Sequence, residues 1–183
     1  DIHGKNHHLA GTFSQHVLQL TLLIGDQIFE CSPTQNEELF FATCGGMGLT
    51  GVIVRAKIHL IRLQSSEILQ TAQKVQSLVE LTRFFEAHKD AMYTVAWIDC
   101  TQTGSRLGRS VFFAGEHCKE RGKLEVHKKK SVPFPSLPFP VVFPWNIKVF
   151  NHLYYCAHTS NTKPKHVHYD PFFFPLDRIG NWN

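Results

Sequence analysis

The stretch Cys44-Gly45-Gly46-Met47-Gly48-Leu49-Thr50-Gly51-Val52-Ile53 decides how the fold is read. It contains Gly46-x-Gly48-x-x-Gly51, the pattern of a dinucleotide-binding turn. That turn holds a pyrophosphate only where a strand runs into the glycines and a helix leaves them, so that the helix N-terminus faces the phosphates. Here the order is reversed. Before the glycines, Thr34 and Glu37 make an S/T-x-x-E capping box, and Glu38 to Ala42 continue one short helix. After them, Gly51 to Ile61 is rich in β-branched residues with Arg55, Lys57 and His59 interleaved, the pattern of a strand. The acidic partner of a ribose hydroxyl would fall near Thr71-Ala72, where none stands. The glycines therefore read as a helix C-cap and close-approach turn, with room for a ligand beside it.

Working outward, Val17 to Leu23, a Gly25-Asp26 turn and Gln27 to Glu30 predict a β-hairpin. Hairpin, helix, glycine turn and strand close an α+β unit near Leu63, and the polar Gln64-Ser65-Ser66 marks the exit. A second unit opens with a strand over Glu67 to Lys74. The Ser77–Glu80 capping box then starts an amphipathic helix carrying Leu78, Leu81, Phe84, Phe85 and His88. Met92 to Ile98 and Gly108 to Ala114 read as strands of one antiparallel sheet. Residues 132–145 are so dense in proline that an extended connector is expected there, its phenylalanines packed on something apolar. There is no internal repeat.

With 183 residues and 43% hydrophobic content, the chain suffices for one or two domains with a real core. It opens on Asp1 and ends at Asn183 and reads as a piece of something longer, so a leader cannot be judged from it. No apolar run reaches the ~18 residues of a membrane span. Much of the net charge of +4 sits between Lys119 and Lys130, a cluster that is either a solvated loop or a contact for anionic lipid or phosphate. Nucleic acid is not an expected partner, because the aromatics cluster with prolines rather than alternating with Lys and Arg. The five cysteines are odd in number and lack a C-x-x-C, so reduced, mostly buried thiols are expected. His3, His7 and His8 crowd together, yet His3 and His7 share a face only on a helix. Gly4 and Asn6 oppose one there, and no metal site is expected.

Asp1-Ile2-His3-Gly4-Lys5-Asn6-His7-His8 concentrates more chemistry than a plain loop needs. Together with Gly11-Thr12-Phe13, the Glu38-Leu39-Phe40 helix and GGMGLTGVI, it resembles the vanillyl-alcohol-oxidase class of FAD-linked oxidoreductases. Within that class it is most similar to the bacterial branch acting on a polyprenyl-phosphate-linked ribose in arabinan precursor synthesis. Ala96-Trp97, Arg106-Leu107-Gly108-Arg109, Phe174-Pro175-Leu176-Asp177 and Asn181-Trp182-Asn183 extend the resemblance along nearly the whole chain, in the same order.

The resemblance implies an α+β chain in which residues 1–63 are the latter part of a PCMH-type FAD-binding domain. Residues 64–183 would begin an antiparallel-sheet substrate domain that includes the 132–145 connector. It implies FAD contacts from Asp1, Ile2, His3 and Gly4, and main-chain bonds from Ile53 to the adenine side. His3 and Lys5 would take part in the chemistry, and Lys5 and Trp97 would face the substrate. Each has a plainer counterpart: His3 as a structural histidine, Lys5 as a surface lysine, Trp97 as sheet core. The implied reaction is oxidation of a secondary alcohol of a sugar, the 2-hydroxyl of the lipid-linked ribose, by hydride transfer to flavin. It would occur in the cytoplasm or at the membrane periphery, with a partner reductase finishing the epimerisation. A soluble sugar or aldonolactone oxidase using O₂, or an inactive fragment folding only within a larger assembly, are the alternatives. The class's pyrophosphate loop and C-terminal strands lie outside these residues, so the chain alone is expected to bind FAD poorly.

Overall fold

A computed structural model describes residues 2–120, 122–125 and 143–177, and the main chain of 132–133 and 179–180. The chain divides into two compact units, Asp1–Arg62 and Leu63–Asn183. Elements are mixed α and β, and the two larger sheets are antiparallel, as expected from the sequence.

In the first unit, a four-residue helix α1 (His7–Ala10) precedes β1 (Val17–Ile24) and β2 (Gln27–Cys31), the predicted hairpin, which pairs Leu20 with Cys31 and Ile24 with Gln27. Helix α2 (Glu37–Thr43) follows. Its predicted capping box does not form. Ser32 and Gln35 exchange main-chain bonds in a tight turn, and the Thr34 N–H donates to Ser32 Oγ at 3.3 Å. The N-cap is Asn36, in left-handed conformation, whose side-chain amide donates to the Glu30 carbonyl at 2.8 Å. Glu37 and Glu38 remain in the first turn, favourably placed at the positive end of the helix dipole.

The glycine turn is as the sequence predicts. At the end of α2 the Cys44 N–H donates to the Phe40 carbonyl at 3.1 Å. A Cβ on Gly46 would overlap the Ala42 carbonyl oxygen. Gly51 has φ +145°, and a Cβ there would come within 2.8 Å of the Leu23 carbonyl oxygen. Close main-chain approach requires glycine at 46 and 51, while at 48, where no atom is near, the left-handed φ of +80° favours it. β3 (Val52–Ile58) leaves them and pairs antiparallel with β1, giving the sheet order β2-β1-β3. Val17, Leu20, Leu22, Cys31 and Phe40 form this unit's core, whereas β3 is exposed along its length.

The second unit is built on a sheet of four strands, in spatial order Tyr93–Ile98, Ser110–His117, Glu67–Val75 and Asn161–His168. β4 (Glu67–Val75) and α3 (Leu78–Ala87) fall where the sequence places them. Ser77 Oγ accepts the Glu80 N–H at 3.3 Å, while the Glu80 carboxylate accepts the Gln76 N–H at 2.7 Å, so the box is shifted by one residue. β5 (Tyr93–Ile98) and β6 (Ser110–His117) are antiparallel neighbours. On one face, Val75, Phe112 and Ala114 pack against Leu81 of α3; on the other, Ile68, Tyr93 and Phe172 form a second cluster.

Three elements differ from the sequence reading. β7 (Val132–Pro133) pairs in parallel with a two-residue strand at Ile179–Gly180, and residues 134–142 of the expected connector lie outside the described part. The far end of that connector is helical: α4 (Pro144–Ala157) begins on Pro144, whose fixed φ and missing N–H suit a first helical turn, and Asn146 Oδ1 accepts the Phe143 N–H at 2.9 Å. β8 (Asn161–His168) is an edge strand carrying Pro164, tolerated there because an edge needs hydrogen bonds on one side only. α5 (Tyr169–Phe173) and β9 (Ile179–Gly180) complete the order. The thiols are all free, but only Cys31 and Cys118 are buried; Cys44 is intermediate, Cys100 and Cys156 exposed.

The second unit is pinned by a buried carboxylate. Asp99 accepts from the Thr101 N–H (3.1 Å) and hydroxyl (2.6 Å), Gln102 Nε2 (2.9 Å), Arg109 Nη2 (2.6 Å) and Asn151 Nδ2 of α4 (2.8 Å). Burial alone would raise its pKa; the bonds from Thr101, Arg109 and Asn151 outweigh that and hold it at about 2. A carboxyl depressed in the fold contributes stability that is present above its unfolded value and is lost as pH falls through the folded one. Between pH 5 and pH 2 this group is expected to withdraw about 2 kcal/mol of stability. Urea titrations of the native chain and Asp99→Asn should therefore show a shallower acid limb in the variant; parallel limbs would contradict this assignment.

Candidate functional site

The opening segment folds back on itself rather than extending. The Ile2 carbonyl accepts the Phe13 N–H at 2.7 Å, and the Gly4 carbonyl accepts the His7 N–H at 3.2 Å. The Asn6 carbonyl accepts from Leu9 and Ala10, and the Gly11 N–H closes α1 on the His7 carbonyl at 2.9 Å. Gly11 has φ +67°, and a Cβ there would run into the Gln15 side chain. The His16 ring hydrogen-bonds the Ala10 carbonyl at 3.0 Å, tying the loop to the start of β1.

This fold-back borders a half-open pocket of about 340 Å³ lined by Ile2, His3, Gly4, Asn6, Gly11, Phe13 and His16. Its size is that of the smaller ligand sites. Three of the predicted residues, Ile2, His3 and Gly4, meet there. The His3 and His7 rings lie 4.5 Å apart, although His3 precedes the helix. Lys5 is half-buried, and burial pushes its ammonium below the ordinary lysine value. Asp1 lies outside the described residues.

Ile53 is elsewhere in the first unit, on β3 opposite Leu22 and 51% exposed. Since β3 is an edge of its sheet among the described residues, its outer side offers main-chain N–H and C=O groups to a ligand or another strand. Trp97 belongs to the second unit, on β5, where its half-buried ring lies 4.5 Å from that of Tyr154 on α4. Phe113 and His158 stand 5.5 Å apart edge to face, and His158 is 4.4 Å from Tyr154, so these four rings make a partly open aromatic shelf. Asn6, His16 and Tyr154 were not singled out from the sequence. The first two become visible only once α1 folds the loop back, and Tyr154 only once 144–157 is known to be helical.

Arg106-Leu107-Gly108-Arg109 has a structural use here. Arg109 carries the ion pair to Asp99, and a Cβ on Gly108 would come within 2.6 Å of the Leu78 main chain, whose N–H donates to the Leu107 carbonyl.

Set against known proteins, the chain is similar to a ribose oxidase along its whole length and to cytokinin dehydrogenases over a quarter of it, bearing out the resemblance read from the sequence. It is 31% identical over 196 aligned positions to decaprenylphosphoryl-β-D-ribose oxidase of Mycolicibacterium smegmatis, a match covering 100% of this chain and 42% of that protein. An uncharacterised protein of Streptomyces coelicolor is 32% identical over 146 residues, 79% of this chain and 40% of its own length. Cytokinin dehydrogenase 8 of Oryza sativa subsp. indica is 50% identical over 46 residues, 25% of this chain and 9% of that enzyme. No family model matches. The chain spans about two fifths of the first two relatives.

Proposed function

We propose that this chain is part of an FAD-dependent oxidoreductase that oxidises a secondary alcohol of a sugar. The 2-hydroxyl of a polyprenyl-phosphate-linked ribose is the substrate favoured by the similarity to decaprenylphosphoryl-β-D-ribose oxidase. The observation that carries the reading is the pocket of the opening segment, which is lined in part by Ile2, His3, Gly4 and Asn6 of the octapeptide that resembles the class. Its residues suit a flavin. Glycine at position 4 leaves the main chain open to a flat ring, and the β3 edge supplies the main-chain groups that an adenine would bond at Ile53. Ile2, His3, Gly4 and Ile53 would hold FAD, joined by Asp1. Residues 1–63 then form the latter part of a PCMH-type domain, and 64–183 begin the substrate domain.

Bound FAD supplies the hydride acceptor. The protein supplies the rest. The His3 imidazole receives the hydroxyl proton on a ring nitrogen as the alcohol is oxidised. Lys5 orients the substrate phosphate or stabilises the alkoxide, and its partial burial strengthens that electrostatic contribution. Trp97, shelved on Tyr154, stacks on the sugar and excludes water. The reaction runs in the cytoplasm or at the membrane periphery, with a reductase partner completing epimerisation; among the described residues no helix is long and apolar enough to cross a membrane.

In the complete protein, His3→Ala and Lys5→Ala are each expected to lower kcat with a polyprenyl-phosphoryl ribose by about 10²-fold or more while the flavin absorbance stays in place. Unchanged turnover in both variants would remove these residues from the chemistry. Rapid peroxide formation on reoxidation by O₂ would favour a soluble sugar oxidase instead.

A further inference from the structure

We propose that Glu67, Cys118 and His166 form a Zn²⁺ site at one end of the second unit's sheet. The register brings them together. Cys118 is the residue after β6, and its N–H donates to the Glu67 carbonyl at 3.1 Å, extending the β4–β6 ladder one step so that Cys118 stands opposite Glu67. On the other side, β8 pairs His168 with Glu67 and His166 with Leu69. Side chains alternate along a strand, so Glu67, Cys118 and His166 all project from the same face. Their ligand atoms, one each of O, S and N, lie within 4.8 Å of one another. Among the described residues no other such group of three occurs.

The donor set suits zinc in kind, charge and distance. A thiolate, an imidazole and a carboxylate are three of the ligands Zn²⁺ prefers, and the thiolate disfavours Mg²⁺ and Ca²⁺. Thiolate and carboxylate together neutralise a dication. Tetrahedral coordination at ordinary zinc bond lengths asks for donors about 3.4 Å apart. His166 Nδ1 and Glu67 Oε2 now share a hydrogen bond of 2.7 Å and need to part slightly; their side chains are 51% and 49% exposed, free to turn. Cys118 is buried and fixed at 4% exposure. The fourth position opens to solvent and takes water.

The surroundings hold this geometry and keep the neighbouring histidine out of it. His168 shares the face, but its Nδ1 accepts the Asp170 N–H at 3.2 Å as the cap of α5, and its Nε2 meets the Glu125 carbonyl at 3.3 Å. Residues 122–125 are laced to the start of β4 through Gly122 to Gln64, Ser66 to Lys123, and Ser66 Oγ to both main-chain groups of Glu125. The ion would clip β8, an edge strand interrupted by a proline and exposed over most of its length, to the end of β4 and β6.

Co²⁺ is the reporter, because a thiolate ligand gives a near-ultraviolet charge-transfer band. Titrating the complete, metal-free protein with Co²⁺ and then Zn²⁺ is expected to show one equivalent, the band, and displacement of Co²⁺ by Zn²⁺. His166→Ala, an exposed substitution that leaves the fold intact, should weaken binding at least tenfold and Cys118→Ser should abolish the band, whereas Cys156→Ser, at an exposed thiol, should change neither. Absence of a thiolate band in the native protein, or the same affinity in His166→Ala, would overturn the proposal.

Discussion

Asp99→Ala is expected to cost the second unit about 3–5 kcal/mol, the range for removing one partner of a buried ion pair. Arg109 is 5% and Asn151 8% exposed, so neither can recover in water what it loses with the carboxylate. Arg109 already faces the Tyr155 ring at 4.7 Å, and its Nε has no hydrogen-bond partner among the described residues; Asp99 is what balances its charge. The five bonds to Asp99 also join the end of β5, the start of β6 and α4, so their loss loosens three elements together. Urea unfolding followed by tryptophan fluorescence measures this, since Trp97 sits on β5 two residues before Asp99. A loss below about 1 kcal/mol would mean that the carboxylate is dispensable to the fold.

That network also shows where the sequence could and could not be read. The hairpin, the helix–glycine–strand order and α3 were legible because each is dictated within about 15 residues by periodicity, caps and turn chemistry. The Thr34–Glu37 box failed because a competing turn at residues 32–35 absorbed Thr34, a choice made by local hydrogen bonding that a four-residue pattern cannot see. β8 reads NTKPKHVH, with Val167 its one aliphatic side chain besides the proline, and its strand identity comes from pairing with β4, nearly 100 residues earlier in the chain. α4 was hidden by the prolines before it, although one of them is the residue that starts it. The candidate site divides in the same way. Ile2, His3 and Gly4 were legible because the octapeptide is distinctive, while Asn6, His16, Tyr154 and the Glu67–Cys118–His166 cluster are products of folding, with no local signal.

Gly4→Val is expected to weaken FAD binding by about 100-fold, or roughly 2.7 kcal/mol, with little effect on folding. A Cβ at position 4 would meet nothing nearer than Asn6 Oδ1 at 3.0 Å, the movable end of another pocket-lining side chain, and position 4 does not need a left-handed backbone. The added methyls would therefore occupy the 340 Å³ pocket rather than strain the chain around it. The direct measurement is titration of the complete apoprotein with FAD, native and Gly4→Val in parallel, read by the visible flavin spectrum, with far-ultraviolet circular dichroism as the folding control. The account predicts a yellow native protein with stoichiometric flavin and a variant of unchanged fold that loses it. A native protein that takes up no flavin, or a Gly4→Val protein that binds it as tightly as the native one, would contradict the placement of a flavin against the opening segment.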